Sequence, residues 1–294
     1  MRVAVVDVGS NTARLLVADV ADGRVQAVAD ERAFLGLGAE IARLGALTPS
    51  TIADAAATAG RFARLARRAG AERLQAVVTA PGRQGAAPER LPAALREATG
   101  APVVVLSAEE EGRLAYEGAV ARAGGLPDVV GVVDVGGGST ELVAGTPLAG
   151  AAWARSVDVG SLRLATACFR RDPPRRRELE QARATAREAL AALDPPRPDV
   201  VFATGGSSRA LGKVLGRRYD ADALDGAVAR LARRPAAERA EAFGLHPLRA
   251  ETIVAGAVVL AEVARLLDRP LELARGGLRE GAALALAAPA AAAA

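Results

Sequence analysis

One cysteine, one histidine, one lysine and one tryptophan stand in a chain of 294 residues, and each scarcity removes a class of chemistry. Cys168 has no partner for an internal disulfide, and with His246 the only histidine there is no Cys/His cluster of the kind that holds zinc. A reducing cytoplasm is the expected setting. With five Phe, two Tyr and one Trp, and no basic run interleaved with them, a stacking platform for nucleic acid is not expected. Apolar runs are short, as at residues 129–133, and the chain opens on a strand-like stretch at residues 2–6. Neither a membrane span nor a signal peptide is therefore expected. The net charge of +4 comes from arginine, Lys213 being the only lysine, and it permits an anionic substrate without demanding one.

Hydrophobic residues, by contrast, make up 51% of the chain, enough at this length to fill two ordinary domains. The segment Ala4-Val5-Val6-Asp7-Val8-Gly9-Ser10-Asn11 recurs as Gly131-Val132-Val133-Asp134-Val135-Gly136-Gly137-Gly138, and Leu15-Leu16 is answered by Leu142-Val143. Self-similarity of this kind predicts a duplicated unit. Each copy reads as a buried strand ending at an aspartate, a tight turn of small residues and a second apolar strand. Between the copies, residues 48–70 carry helical apolar spacing at Ile52, Ala55, Ala59, Phe62 and Leu65 behind a Ser/Thr cap. A strand over 74–78, a helix over 88–99 and a strand over 102–106 follow. After the second copy come a helix over 175–193, a strand over 199–203, a turn at Thr204-Gly205-Gly206-Ser207-Ser208 and further helical segments, with residues 290–294 read as a frayed end. Alternating strands and helices make the chain α/β. The linker Gly124-Gly125-Leu126-Pro127 puts a domain boundary near residue 122, giving domains 1–122 and 123–277.

Two glycine-rich turns placed directly after strands can present backbone N–H groups to an anion at close approach. The alternative is that Gly9 and Gly136, Gly137 and Gly138 only close tight hairpins. Asp7 and Asp134 end apolar strands, where an unpaired carboxylate is costly to bury. Either a divalent cation or water in a cleft partners them, or they cap their own turns. Glu109-Glu110-Glu111 follows Ser107 and reads equally as the acidic first turn of a helix. Arg83 after the Thr79-Ala80-Pro81-Gly82 turn either forks onto phosphate oxygens or is one more surface arginine. His246 is read as a loop or cap residue and Cys168 as a small core residue.

Several segments, in order, resemble the exopolyphosphatase/guanosine pentaphosphatase (Ppx/GppA) family of the acetate kinase–Hsc70–actin superfamily. They are Asp7-Val8-Gly9-Ser10-Asn11-Thr12, residues 79–83, Ser107-Ala108-Glu109-Glu110-Glu111-Gly112-Arg113-Leu114, the DVGGGSTE run from Asp134 to Glu141, Gly160-Ser161-Leu162-Arg163-Leu164, Ala203-Thr204-Gly205-Gly206 and Gly276-Gly277-Leu278-Arg279-Glu280-Gly281. The resemblance implies two ribonuclease-H-like domains facing across a cleft, with a last helix near 278–288 packing back on the first. It implies release of terminal phosphate from inorganic polyphosphate or from guanosine pentaphosphate (pppGpp), with Mg²⁺, or Mn²⁺ in its place, as cofactor. It names Glu111 as the catalytic carboxylate that activates water, with Glu141 as a second acid; taken with the buried aspartates above, the expected metal ligands are Asp7, Asp134 and Glu141. Substrate contacts fall on Gly9, Ser10, Asn11, Thr12, Arg83, Gly136, Gly137, Gly138, Ser139, Thr140, Gly205 and Gly206. Pro81, Gly82 and Gly85 depart from the family pattern around Arg83.

Three activities compete on that fold: a phosphohydrolase, a sugar or acetate kinase, and a non-catalytic polyphosphate or nucleotide sensor. The Ser107 to Leu114 signature favours hydrolysis. The chain ends soon after Gly281, so the further C-terminal domain of longer family members is expected to be absent, and a homodimer is expected to lengthen the groove.

Overall fold

A computed structural model describes residues 1–288; the alanine run at 290–294 lies outside the described residues. The first half contains β1 (Arg2–Val8), β2 (Thr12–Ala21), β3 (Arg24–Phe34), β4 (Arg73–Val78) and β5 (Val103–Val105). Its helices are α1 (Leu37–Leu44), α2 (Pro49–Arg68), α3 (Arg90–Thr99) and α4 (Ala108–Val120). In the second half, β6 (Val130–Val135), β7 (Thr140–Thr146) and β8 (Gly150–Val157) precede α5 (Ser161–Cys168) and α6 (Arg176–Leu190). Then come β9 (Val200–Thr204), α7 (Gly205–Leu215), β10 (Arg218–Tyr219), α8 (Ala221–Leu231), α9 (Ala236–Phe243), α10 (Pro247–Leu267), β11 (Leu271–Leu273) and α11 (Leu278–Ala287).

The first sheet runs β3-β2-β1-β4-β5, and the second repeats that order as β8-β7-β6-β9-β11 with β10 added at the edge. In both, the leading strand pairs antiparallel with the next and parallel with the strand that follows a helical crossover. These are the two ribonuclease-H-like units implied by the resemblance, and the recurring segments are their first hairpins. Expected helices and strands are found within a few residues of their predicted spans. Thr48 caps α2, its hydroxyl accepting from the Thr51 amide at 3.3 Å.

One expectation fails. Thr204-Gly205-Gly206-Ser207-Ser208 is not a free turn: Gly205 starts α7, and Ser207 and Ser208 lie buried in its first turn. Gly205 has φ +84°, a left-handed backbone that glycine adopts without strain, and this swings the chain from β9 into the helix without a loop. Small polar residues that suit turns suit a helix start equally well.

Helix α10 is buried on every side from Thr252 to Ala264, because small and branched apolar residues surround most of its circumference. It is the centre of the second half's core. A separate apolar cluster joins the halves: Val3, Val5 and Leu16 of the first sheet meet Tyr116 of α4, Val132 of the second sheet, and Ala282 of α11. Helix α4 lies on β6, β7 and β8, and α11 lies on β1 and β2, so each covers the sheet of the opposite half and the two cross each other. That crossing brings the N-termini of both helices to the cleft between the sheets.

Candidate active site

The two recurring hairpins face each other. Each turn closes with the same bond, Gly9 N–H to Thr12 O at 2.9 Å and Gly136 N–H to Ser139 O at 3.0 Å. These bonds engage the first glycine amide of each turn. The amides of Ser10, Asn11, Gly137, Gly138 and Ser139 have no acceptor among the described residues, and the turns line one cleft. Free N–H groups of this kind form an anion-binding concavity. Gly137 has a different reason to lack a side chain: a Cβ there would lie 2.9 Å from Cβ of Ser10, so the opposite hairpin occupies the space.

Register explains how two copies of one hairpin do different work. Asp7 lies across from Arg14 on β2, whereas Asp134 lies across from Glu141 on β7. The first copy sets a carboxylate beside a cation; the second sets two carboxylates side by side. Glu141 is 1% exposed, its Oε1 accepts from Ser156 Oγ at 2.9 Å, and its Oε2 has no partner. Burial, reinforced by Asp134, pushes the Glu141 pKa up to about 7. Burial also raises Asp134 to about 6, opposed by Arg209, and raises Asp7 against the pull of Arg279 and Arg14.

The three consecutive glutamates have separate positions. Glu110 completes a capping box, its carboxylate accepting from Ser107 N at 2.7 Å while Ser107 Oγ accepts from the Glu110 amide at 3.1 Å. Glu109 pairs on the surface with Arg113 at 2.9 Å. Glu111 alone lines the cleft, 8% exposed. Arg83 Nη2 reaches its Oε2 at 3.1 Å, and Arg83 Nη1 donates to the Leu106 carbonyl. Burial and the neighbouring Glu141 raise the Glu111 pKa well above the usual range, and Arg83 opposes them. Arg83 is thus spent on Glu111 and the backbone and does not line the cleft. The Pro81–Gly82 departure forms a 3-10 turn, Ala80–Gly82, and a Cβ on Gly82 would meet Val78 at 2.9 Å, so the turn packs tightly enough to aim Arg83.

Asp7, Gly9, Ser10, Asn11, Thr12, Glu111, Asp134 and Gly136 to Ser139 therefore share one cleft with Gly205 and Gly206. Thr140 does not line it: the residue is fully buried and its hydroxyl donates to the Val159 carbonyl. Glu141 stands behind Asp134 rather than in the lining. The cations were missed in sequence. Arg14, Arg209, Arg249 and Arg279 surround the opening. Arg279 forks onto Asp30 at 2.9 and 3.0 Å, but Arg209 and Arg249 have no ion-pair partner among the described residues. Desolvation by the cleft walls, with Arg14 and Arg279 adding repulsion, lowers Arg209 to about 9; burial and Arg32 lower Arg249 to about 10. Both stay charged at neutral pH. In a chain whose cations are almost all arginine, only the segment containing Arg279 carried a sequence signal.

A divalent cation fits this arrangement. Asp134 and Glu141 are adjacent carboxylates, and the buried Oε2 of Glu141 is an unmatched acceptor. Among the described residues no three His, Cys, Asp or Glu side chains converge to cage an ion by themselves. That suits Mg²⁺, which keeps several waters and takes one or two carboxylates together with substrate phosphates.

The electrostatics predict a pH effect in metal-free protein. A carboxyl whose folded pKa is raised stabilises the fold fully below its unfolded pKa, near 4.5, and loses that contribution as pH rises through the folded value near 7. Glu141→Gln should therefore unfold at a higher temperature than the parent at pH 8, with the gap closing towards pH 5. Thermal melts in chelator measure it; a gap that widens on acidification would contradict the assignment.

Residues 16–288 match the Ppx/GppA phosphatase family. The chain is 31% identical to exopolyphosphatase 2 of Mycobacterium tuberculosis (strain CDC 1551 / Oshkosh), over 97% of this chain and 98% of that one. It is 30% identical to exopolyphosphatase 1 of the same strain, over 96% of this chain and 87% of that one. A solved structure of the Aquifex aeolicus Ppx/GppA enzyme superposes with a TM-score of 0.82 at 26% identity, covering 97% of this chain and 99% of the other. With a match this long in sequence and in fold, the chain belongs to the Ppx/GppA phosphatase family.

Proposed function

We propose that the cleft is an exopolyphosphatase site, releasing orthophosphate from the end of inorganic polyphosphate. The observation that carries the reading is a carboxylate, Glu111, set in a cleft of free backbone amides and unpaired arginines. The amides and Arg209 and Arg249 bind the phosphate oxygens; Glu111 takes a proton from a water aimed at the terminal phosphorus. The new P–O bond forms as the anhydride P–O bond breaks, and the shortened chain leaves with its negative charge next to the cations. Arg83 holds Glu111 in position. Asp134 and Glu141 would hold Mg²⁺ or Mn²⁺, with waters and substrate phosphates completing the ligand set, and Asp7 would add its charge from the opposite hairpin. When bound, that ion offsets charge on the transferred phosphoryl group. Names of the relatives support polyphosphate as substrate.

The pppGpp reading draws support from the Gly205-Gly206 start of α7, an N-terminus suited to phosphate. Yet the Arg249 guanidinium lies over Gly206, where a nucleoside would need room. A reducing cytoplasm, suggested by the single cysteine, and a homodimer complete the proposal.

Phosphate release from tripolyphosphate, long-chain polyphosphate and pppGpp at matched concentration tests it. Release should be fastest from polyphosphate, stop in excess chelator, and in Asp134→Asn require more Mg²⁺, by roughly tenfold. Full activity in chelator would remove the metal from the account. Tight binding with no release from any substrate would make the protein a sensor.

A further inference from the structure

Beyond Arg14, Arg209 and Arg249 the cleft continues into a second chamber, whose walls add Arg32 and Lys213. The two spaces share those three arginines, but their charge differs. Asp7, Glu111 and Asp134 line only the inner cleft, and no carboxylate lines the outer chamber. Arg14 is tied to Asp30 at 3.2 Å; Arg32, Arg209, Lys213 and Arg249 make no ion pair among the described residues. Lys213 is anchored by donating to the Gly244 carbonyl at 2.7 Å, which fixes its ammonium without neutralising it.

An aromatic pair spans this chamber. Phe34, at the end of β3, stacks on His246, which precedes α10 in the other half, with ring centroids 3.4 Å apart and planes 8° from parallel. The Arg32 guanidinium lies 5.1 Å from the centre of the Phe34 ring. Phe34 and His246 stack on each other, and the charged groups left free in the chamber are all cations. Together these features suit an unbranched chain of phosphates.

We propose that the outer chamber is a subsite for phosphates distal to the scissile one, and that Arg32 and Lys213 set preference for chain length there. This rests on the inner cleft acting on polyphosphate. Phosphates next to Glu111 lie in the inner cleft, and only a chain long enough to pass Arg209 and Arg249 meets the outer cations.

The test is the Arg32→Ala/Lys213→Ala double variant of the full chain. kcat/KM for long-chain polyphosphate should fall about tenfold or more, mostly through KM, while tripolyphosphate hydrolysis stays within about twofold of the parent. Arg32→Lys with Lys213→Arg should restore the long-chain value. Equal losses on both chains, or no loss on the long one, would overturn the proposal, and a loss confined to pppGpp would overturn it in favour of a nucleoside pocket. If the double variant fails to fold, Lys213→Met, which keeps the stem and removes the charge, carries the same expectation to a smaller degree. Direct binding separates this proposal from the hydrolase reading. A parent that releases no phosphate refutes hydrolysis, yet weaker long-chain binding by the double variant still upholds the chamber, and unchanged binding refutes it.

Discussion

Glu111→Gln should lower turnover at least about 10²- to 10⁴-fold while tripolyphosphate binding stays within a few-fold of the parent. The amide keeps the size of the side chain and can still accept from Arg83, so the loss isolates the proton acceptor. Glu111 acts as a base only when ionised, and in metal-free protein burial next to Glu141 raises its pKa. The Glu111 carboxyl should therefore titrate above the usual carboxylate range in metal-free protein, and at lower pH once Glu141 is replaced with Gln. A divalent cation beside it should likewise lower that titration. Turnover of Glu111→Gln within about tenfold of the parent would contradict the role assigned to it. So would a Glu111 titration at the ordinary glutamate value in metal-free protein, since the surroundings that raise the pKa are the same ones that place the residue.

The largest effect on stability is expected at Gly118. A Cβ built there would overlap the Gly277 carbonyl oxygen and stand 2.6 Å from the Gly281 amide nitrogen, both backbone atoms of the segment that begins α11. Gly281 presents the mirror case, with its Cβ position occupied by the Leu114 carbonyl of α4. Helices α4 and α11 therefore cross with their backbones in contact, and no rotamer change can relieve an added methyl group. Gly118→Ala should cost more than about 3 kcal/mol, since backbone has to move in the core shared by both sheets. A fall in Tm of roughly 6 °C or more is expected. Activity should fall with it, because α11 carries Arg279 into the cleft and α4 carries Glu111. Gly124→Ala is the control. That glycine has nothing within 4 Å of its Cβ position and no positive φ, so its melt should be unchanged or slightly raised. Equal melts for the two variants would mean that the crossing is looser than described.

The duplicated hairpins and most helices were legible in sequence because their cues are local: an apolar run, a glycine turn and a cap such as Thr48 each identify a segment without its neighbours. The pairing of Asp134 with Glu141, against Asp7 with Arg14, follows from register once the hairpin is accepted. What Glu109, Glu110 and Glu111 do was not legible from the residues, since any of three successive acids can cap, pair outward or face inward. Their roles separate only when α4 is laid on the second sheet. Nothing local decided whether Arg83 forks onto phosphate or lies on the surface, because the carboxylate it meets, Glu111, is 28 residues away in sequence. Arg209 and Arg249 carried no signal: nothing local marks them among so many other arginines, and they meet only where α7 and α10 converge. The start of α7 read as a turn because glycine and serine favour turns and helix N-termini alike.

The central claim is that water, activated by Glu111, attacks the terminal phosphorus of a polyphosphate chain held in the inner cleft. Single-turnover hydrolysis of tripolyphosphate in isotopically labelled water tests it most directly, with the label followed into each product by mass spectrometry. The account predicts one labelled oxygen in the released orthophosphate, none in the pyrophosphate left behind, and loss of labelled product in Glu111→Gln. Label in the pyrophosphate, or labelled orthophosphate formed at the parental rate by Glu111→Gln, would contradict it.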